Sequence, residues 1–148
     1  EREAIIDSLL RLYAGLDSND HDLFTSAFTN NIEIDLTKVH MGGQPMTTMK
    51  GLHENVVPKV LHFLGPFGTS HALSNFRVIK ESPDTASVEF TIVAQHWRPG
   101  DASEPILPIY YTMSNKYAAK VVRMEGDLWK VQHMQGWSLW ALGDPTLL

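Results

Sequence analysis

Three side chains in this sequence, Asp17, His71 and His96, form a set that could move protons. An aspartate beside a histidine is an acid–base unit. The carboxylate accepts a hydrogen bond from one ring nitrogen, fixes the tautomer and raises the basicity of the other nitrogen. A second imidazole can donate to or accept from a substrate oxygen. In a mostly apolar pocket, such a set removes a proton alpha to a carbonyl and returns one to a leaving hydroxyl. That chemistry is dehydration, isomerisation or proton-triggered cyclisation. General acid–base placement contributes roughly 10²–10⁴-fold in rate, so orientation within a cavity has to add to it. Two histidines and an aspartate also suit a metal triad. No H-x-D/E or H-x₃-H spacing accompanies them, and no metal site is expected.

The elements that must position these groups can be read from the apolar pattern. His96 closes the stretch VEFTIVAQHW, where Val88, Phe90, Ile92 and Ala94 alternate. A residue in phase with them points inward. A core histidine satisfied by a backbone carbonyl has the same pattern. On 69–80, His71, Leu73 and Asn75 share one face, while Ala72, Ser74, Phe76 and Val78 share the other. Alternation alone leaves open which face is inward. If His71 points in, Asn75 joins the same cavity. Asp17 ends a predicted helix over REAIIDSLLRLYAGLD, whose Ile5, Leu9, Leu12 and Leu16 recur at helical spacing, with Ile6, Leu10 and Tyr13 widening the stripe. Tyr13 lies four residues before Asp17, on the same face. Asp17 is also a plausible turn residue in DSND, although an acid at a helix C-terminus is electrostatically disfavoured.

Asp20 is an expected N-cap for a second short helix, HDLFTSAF. A strand is expected over 30–39 and a loop over 40–50, where Gly-Gly and Pro fall. A third helix is expected from Leu52 to Leu64. Pro58 fits best if that helix starts near Val57, which puts the proline in the first turn. Strands follow at 69–80, 85–98, 106–123 and 127–140, long enough to require bends or bulges. Tyr110, Tyr111 and Tyr117 offer phenols to a pocket or are ordinary amphipathic strand residues. In the last strand Trp129, Val131, His133, Gln135 and Trp137 share a face. Leu128, Met134 and Trp140 share the other, so this strand is expected to be central or at a dimer interface. His21, His40, His53 and His62 are read as surface residues.

Helices followed by long strands indicate an α+β fold, with a strongly curved sheet able to wrap the helices and enclose a cavity. The 148 residues suit one domain, 1–148, able to bury roughly 70% of its unfolded surface. A net charge of −5 with no basic cluster argues against a nucleic-acid partner. The absence of cysteine excludes thiolate nucleophiles, disulfides and Cys-based zinc sites. No apolar run approaches the ~20 residues of a membrane span, no signal peptide is visible, and a cytoplasmic location is expected. There is no G-x-S-x-G, GxGxxG or GxxxxGK[ST] pattern, and no cofactor is expected.

The layout resembles the SnoaL-like branch of the nuclear-transport-factor-like (NTF2-like) superfamily, and within it the fungal scytalone dehydratase-like proteins. The resemblance rests on the order of LYAGLDSND, FTNNIEID, GTSHALSNFRV, AQHWR and GDLWKV…WSLWALGD across nearly the whole chain. It implies a cone-shaped, curved mixed sheet around N-terminal helices, with a hydrophobic pocket. It also implies an Asp at the end of the first helix paired with a His on the strand after the third helix, and a second His near the end of the next strand. The matching positions are Asp17, His71 and His96, which favours the inward reading of His71. Ser114 and Asn115 are candidates for the family's Ser and Asn on the following strand, with Tyr117 and Ala118 as alternatives in register. Where the family has two tyrosines that hold a water, this sequence has Leu16 and Leu36, which suits a more apolar substrate. The implied function is a cofactor-independent dehydratase, isomerase or cyclase of fungal-type secondary metabolism. Its substrate would be a hydrophobic polyketide- or terpenoid-derived molecule, with Tyr13, Asn75, Tyr111, Asn115, Tyr117 and Trp137 as binding residues. A homodimer through the outer sheet face is expected. The alternative is a non-catalytic binding or dimerisation module of the same fold.

Overall fold

The computed structural model describes residues 1–100 and 109–148. Positions 101–105, between the strands expected at 85–98 and 106–123, and positions 106–108 of the latter lie outside the described residues. Helix α1 (Arg2–Asp17) buries Ile5, Ile6, Leu9, Leu12, Tyr13 and Leu16. Leu10, counted into the stripe from sequence, is exposed. Asp20 caps α2 (His21–Ser26) by accepting from the Leu23 N–H at 3.0 Å. The two helices meet tightly at Gly15, where a Cβ would stand 2.4 Å from the Phe24 nitrogen.

Strand β1 (Phe28–Lys38) leads into a hairpin rather than a loop: β2 (His40–Met41) and β3 (Gln44–Pro45) pair across Gly42 and Gly43. Both glycines have positive φ, 62° and 79°, which this two-residue turn requires and glycine allows. A short edge strand, β4 (Thr48–Lys50), pairs back onto β1. The next segment is helical from Leu52, not from Val57. It is wound as a π-helix over Leu52–Leu61 and runs into α3 (His62–Leu64). Pro58 therefore sits inside the helix. In an α-helix the proline ring collides with the carbonyl four residues back. The wider π winding moves that carbonyl out of line.

Strands β5 (Gly68–Ser82), β6 (Thr85–Trp97), β7 (Tyr110–Arg123) and β8 (Trp129–Gly143) complete an open mixed sheet of order β4-β1-β8-β7-β6-β5. Pairing is antiparallel except between β1 and β8, which run parallel. β8 is central in the sheet, as expected. The sheet curves because its strands are bulged. In β5, Asn75 and Phe76 together oppose Phe90, and Asn75 takes a left-handed φ of 57°. In β8 the register slips at Gln132 and again at Leu139. Val88, Phe90, Ile92, Tyr117, Val121 and Val131 of the sheet share one core cluster with Leu9 and Leu12 of α1 and Phe24 of α2.

Candidate active site

The bulge at Asn75 settles the orientation of His71. Before it, Thr69, His71 and Leu73 are the shielded residues of β5; after it, Phe76 and Val78 are. Both sets turn inward because the extra residue flips the alternation. Asn75 itself is exposed and does not line the cavity, which corrects its expected place beside a ligand.

The start of β5 lies against the end of α1, and Asp17 is the junction. Its Oδ1 is 2.5 Å from His71 Nδ1 and accepts from the Thr69 hydroxyl at 2.8 Å. Its Oδ2 accepts from the His71 backbone N–H at 2.9 Å. An ionised carboxylate can only accept, so His71 carries a proton on Nδ1, and Nε2 is left for the cavity. Burial pushes the Asp17 carboxyl up. The hydrogen bond and charge of His71, the Thr69 hydroxyl and the His71 amide outweigh that push, and the carboxyl lies below its ordinary value. The Tyr13 ring packs on His71 with centroids 4.9 Å apart.

His96 points inward, as its alternation predicts, and is 1% exposed. Its Nδ1 donates to the Tyr111 carbonyl at 2.9 Å. Burial pushes the ring's pKa down, opposed in part by that hydrogen bond and reinforced by the neighbouring His71. A neutral His96 therefore offers a lone pair at Nε2. The two imidazoles stand edge to face, 5.9 Å between centroids.

A second polar corner is built from β7 and α1. Asn115 Nδ2 donates to the Tyr117 hydroxyl at 3.4 Å, and the Tyr13 phenol lines the same cavity and interacts electrostatically with that of Tyr117. Burial raises both phenol pKa values, so both stay protonated. Asn115 Oδ1 is buried without a partner, a costly state unless a ligand or water fills it.

Tyr13, His71, His96, Asn115 and Tyr117 share one cavity of about 210 Å³, and Asp17 reaches it only through His71. Most of the cavity's other lining residues are apolar, among them Phe28, Ile34, Val39, Met113 and Met134. Leu16 and Leu36 also line it, at the positions where the resemblance implies water-holding phenols. Tyr13, Asn115 and Tyr117 are thus brought together with His71 and His96. Tyr111 and Trp137 are not. The Tyr111 hydroxyl instead accepts from the Gly42 N–H at 3.2 Å. Trp137 stands under the Lys38 ammonium, which is 5.8 Å from its ring centroid. The slip at Gln132 breaks the face on which Trp129, Val131 and Trp137 seemed to lie together; Met134 and Gly136 continue the buried side instead.

Sequence reasoning missed the hairpin's share of the walls. Met41, Met46 and Met49 all reach the cavity, and three methionines within nine residues of a supposed loop were the available signal. His21, His40, His53 and His62 are exposed, as expected. Among the described residues, no group of three His, Cys, Asp or Glu side chains is arranged to hold a metal ion.

A family model for the SnoaL-like domain matches residues 1–135. "Terrestric acid biosynthesis cluster protein E" of Penicillium crustosum is 30% identical over 145 residues, covering 97% of this chain and 86% of that protein. Among solved structures, a protein from Novosphingobium aromaticivorans provisionally assigned as a scytalone dehydratase superposes with a TM-score of 0.77 at 20% identity, covering 95% of this chain and 85% of that one. A type 2 hexachlorocyclohexane dehydrochlorinase (LinA) superposes with a TM-score of 0.73 at 18% identity, covering 95% and 86%. The helices cupped in an open, bulged sheet and the match over most of the sequence agree: the chain belongs to the SnoaL-like family and has the NTF2-like fold.

Proposed function

We propose that this protein is a cofactor-independent acid–base enzyme, a dehydratase, isomerase or cyclase, acting on a hydrophobic polyketide- or terpenoid-derived metabolite. The observation that carries this reading is the Asp17–His71 pair on the wall of an apolar cavity, with His96 5.9 Å away. His71 Nε2 takes the substrate proton, and the resulting imidazolium is stabilised by Asp17. The same ring then returns a proton to the leaving or rearranged oxygen. Neutral His96 accepts from a substrate hydroxyl, and Asn115 Oδ1 does the same. Tyr13 and Tyr117 stay protonated, and the Tyr117 hydroxyl holds Asn115 by accepting from its Nδ2.

The Penicillium relative's place in a biosynthesis cluster supports a secondary-metabolite substrate. The dehydratase and dehydrochlorinase among the structural neighbours support elimination-type chemistry on the same scaffold. The exposed Leu139, Trp140 and Leu142 at the end of β8 support a homodimer through the outer sheet, and a cytoplasmic location belongs to the same reading.

The test is to incubate the protein with extracts of the pathway it serves and read the products by mass. Loss of one water identifies dehydration; unchanged mass with altered retention identifies isomerisation or ring closure. The His71→Ala variant is expected to fold and to lose turnover. Full activity in that variant ends the proposal.

A further inference from the structure

Three cavity-lining residues are solvent-exposed: Thr47, Lys59 and Phe63. They belong to the link between hairpin and β4 and to the helical segment after it, so the cavity opens there. No arginine, aspartate or glutamate is among the described lining residues, and Lys59 is the one lysine. Among the described residues it has no ion-pair partner, whereas Lys50, Lys80, Lys116 and Lys120 are each paired with a glutamate. The lining residues Met46, Thr47, Val60 and Phe63, which are likewise exposed or partly exposed, are uncharged. An unpaired ammonium beside apolar walls attracts anions more strongly than one in open water.

The inner end has the opposite character. His96 Nε2 and Asn115 Oδ1 are acceptors, and the Asp17 carboxylate stands behind His71, so a second carboxylate placed there would meet lone pairs and a like charge. The two ends together fix an orientation. We infer that the cavity takes amphipathic anions, with the ligand's acid group at Lys59 and its hydroxyl-bearing, reacting end at the histidines. This rests on the reading of the cavity as the substrate site, and it narrows the substrate class to acids.

Binding tests it without turnover, so its failure is separable from failure of the catalytic proposal. Phenylnaphthylamine, a neutral fluorescent probe, is bound to the intact protein and displaced with decanoate or with decanol. Decanoate is expected to bind more tightly than decanol, with the gap closing as salt is raised. Lys59→Gln should weaken decanoate by roughly three- to tenfold and leave decanol unchanged, and Lys59→Arg should keep the preference. Lys59 is exposed, so folding is not at stake. Equal affinity for the two ligands, an unchanged decanoate affinity in Lys59→Gln, or failure of decanoate to displace the probe would each overturn the inference.

Discussion

Asp17 grips His71 twice, at the ring through Oδ1 and at the backbone through Oδ2. The first bond fixes the tautomer, and the second fixes where β5 starts relative to α1. Side chain and strand are thereby aligned by one carboxylate, which turns the end of a helix into a positioning device.

Asp17→Asn separates charge from shape. The amide is nearly isosteric but can donate to Nδ1, which moves the ring proton to Nε2 and removes the base. Turnover is expected to fall about 10²–10⁴-fold, while thermal melting shifts by only a few degrees. Steady-state kinetics and a melting curve on the same preparation check both halves. An active Asn variant would mean that the tautomer does not matter here.

The buried ring of His96 predicts a pH dependence of stability. Unfolded, it takes up a proton near its ordinary value of about 6.5. Folded, burial holds its pKa lower. Between those two values the unfolded chain binds more protons, so stability is whole above about pH 6.5 and falls as pH drops toward the folded pKa. His96→Gln keeps a donor for the Tyr111 carbonyl but does not titrate. Urea midpoints measured from neutral to mildly acid pH should fall less steeply in that variant. Parallel slopes would show that His96 is not held neutral.

Gly136 is needed for space. A Cβ there would meet Tyr117 Cε1 at 2.5 Å and Val39 Cγ2 at 2.9 Å. Gly136→Ala must displace the Tyr117 ring or deform β8. A cost of about 1–3 kcal/mol is expected from such overpacking, together with weaker binding in the cavity. Urea denaturation and probe titration read the two effects separately.

What could be read from the sequence follows the bulges. In β6 the alternation is unbroken from Ala86 to His96, and the inward histidine was legible from it. In β5 and β8 one inserted residue reverses the faces, so Asn75 and Trp137 were assigned to a pocket they do not enter. An inserted residue has no strong local signature when it is not glycine. Asp17 was placed beside His71 by the family resemblance and not by the apolar pattern, which carries no signal for a partner 54 positions away. The π-wound stretch hid for a related reason: its apolar spacing passes for an α-helix, and Pro58 argued for a later start than the chain adopts.

Tyr111 gives the last prediction. Its phenol is turned away from the cavity and accepts from the Gly42 N–H in the hairpin turn, against which the C-terminal Pro145 also packs. Met41 of that hairpin and Met46 just after it line the cavity and Tyr111 does not, so the expected role of the hydroxyl is to hold a wall in place. Tyr111→Phe removes only this tether. A single neutral hydrogen bond is worth about 0.5–1.5 kcal/mol, so KM should rise by roughly two- to tenfold. The imidazoles and Asp17 are untouched, and kcat should hold. Hydrogen exchange at the hairpin amides should quicken in the same variant, because the bond that closes them is gone. A collapse of kcat with slow hairpin exchange would instead place the phenol on the substrate.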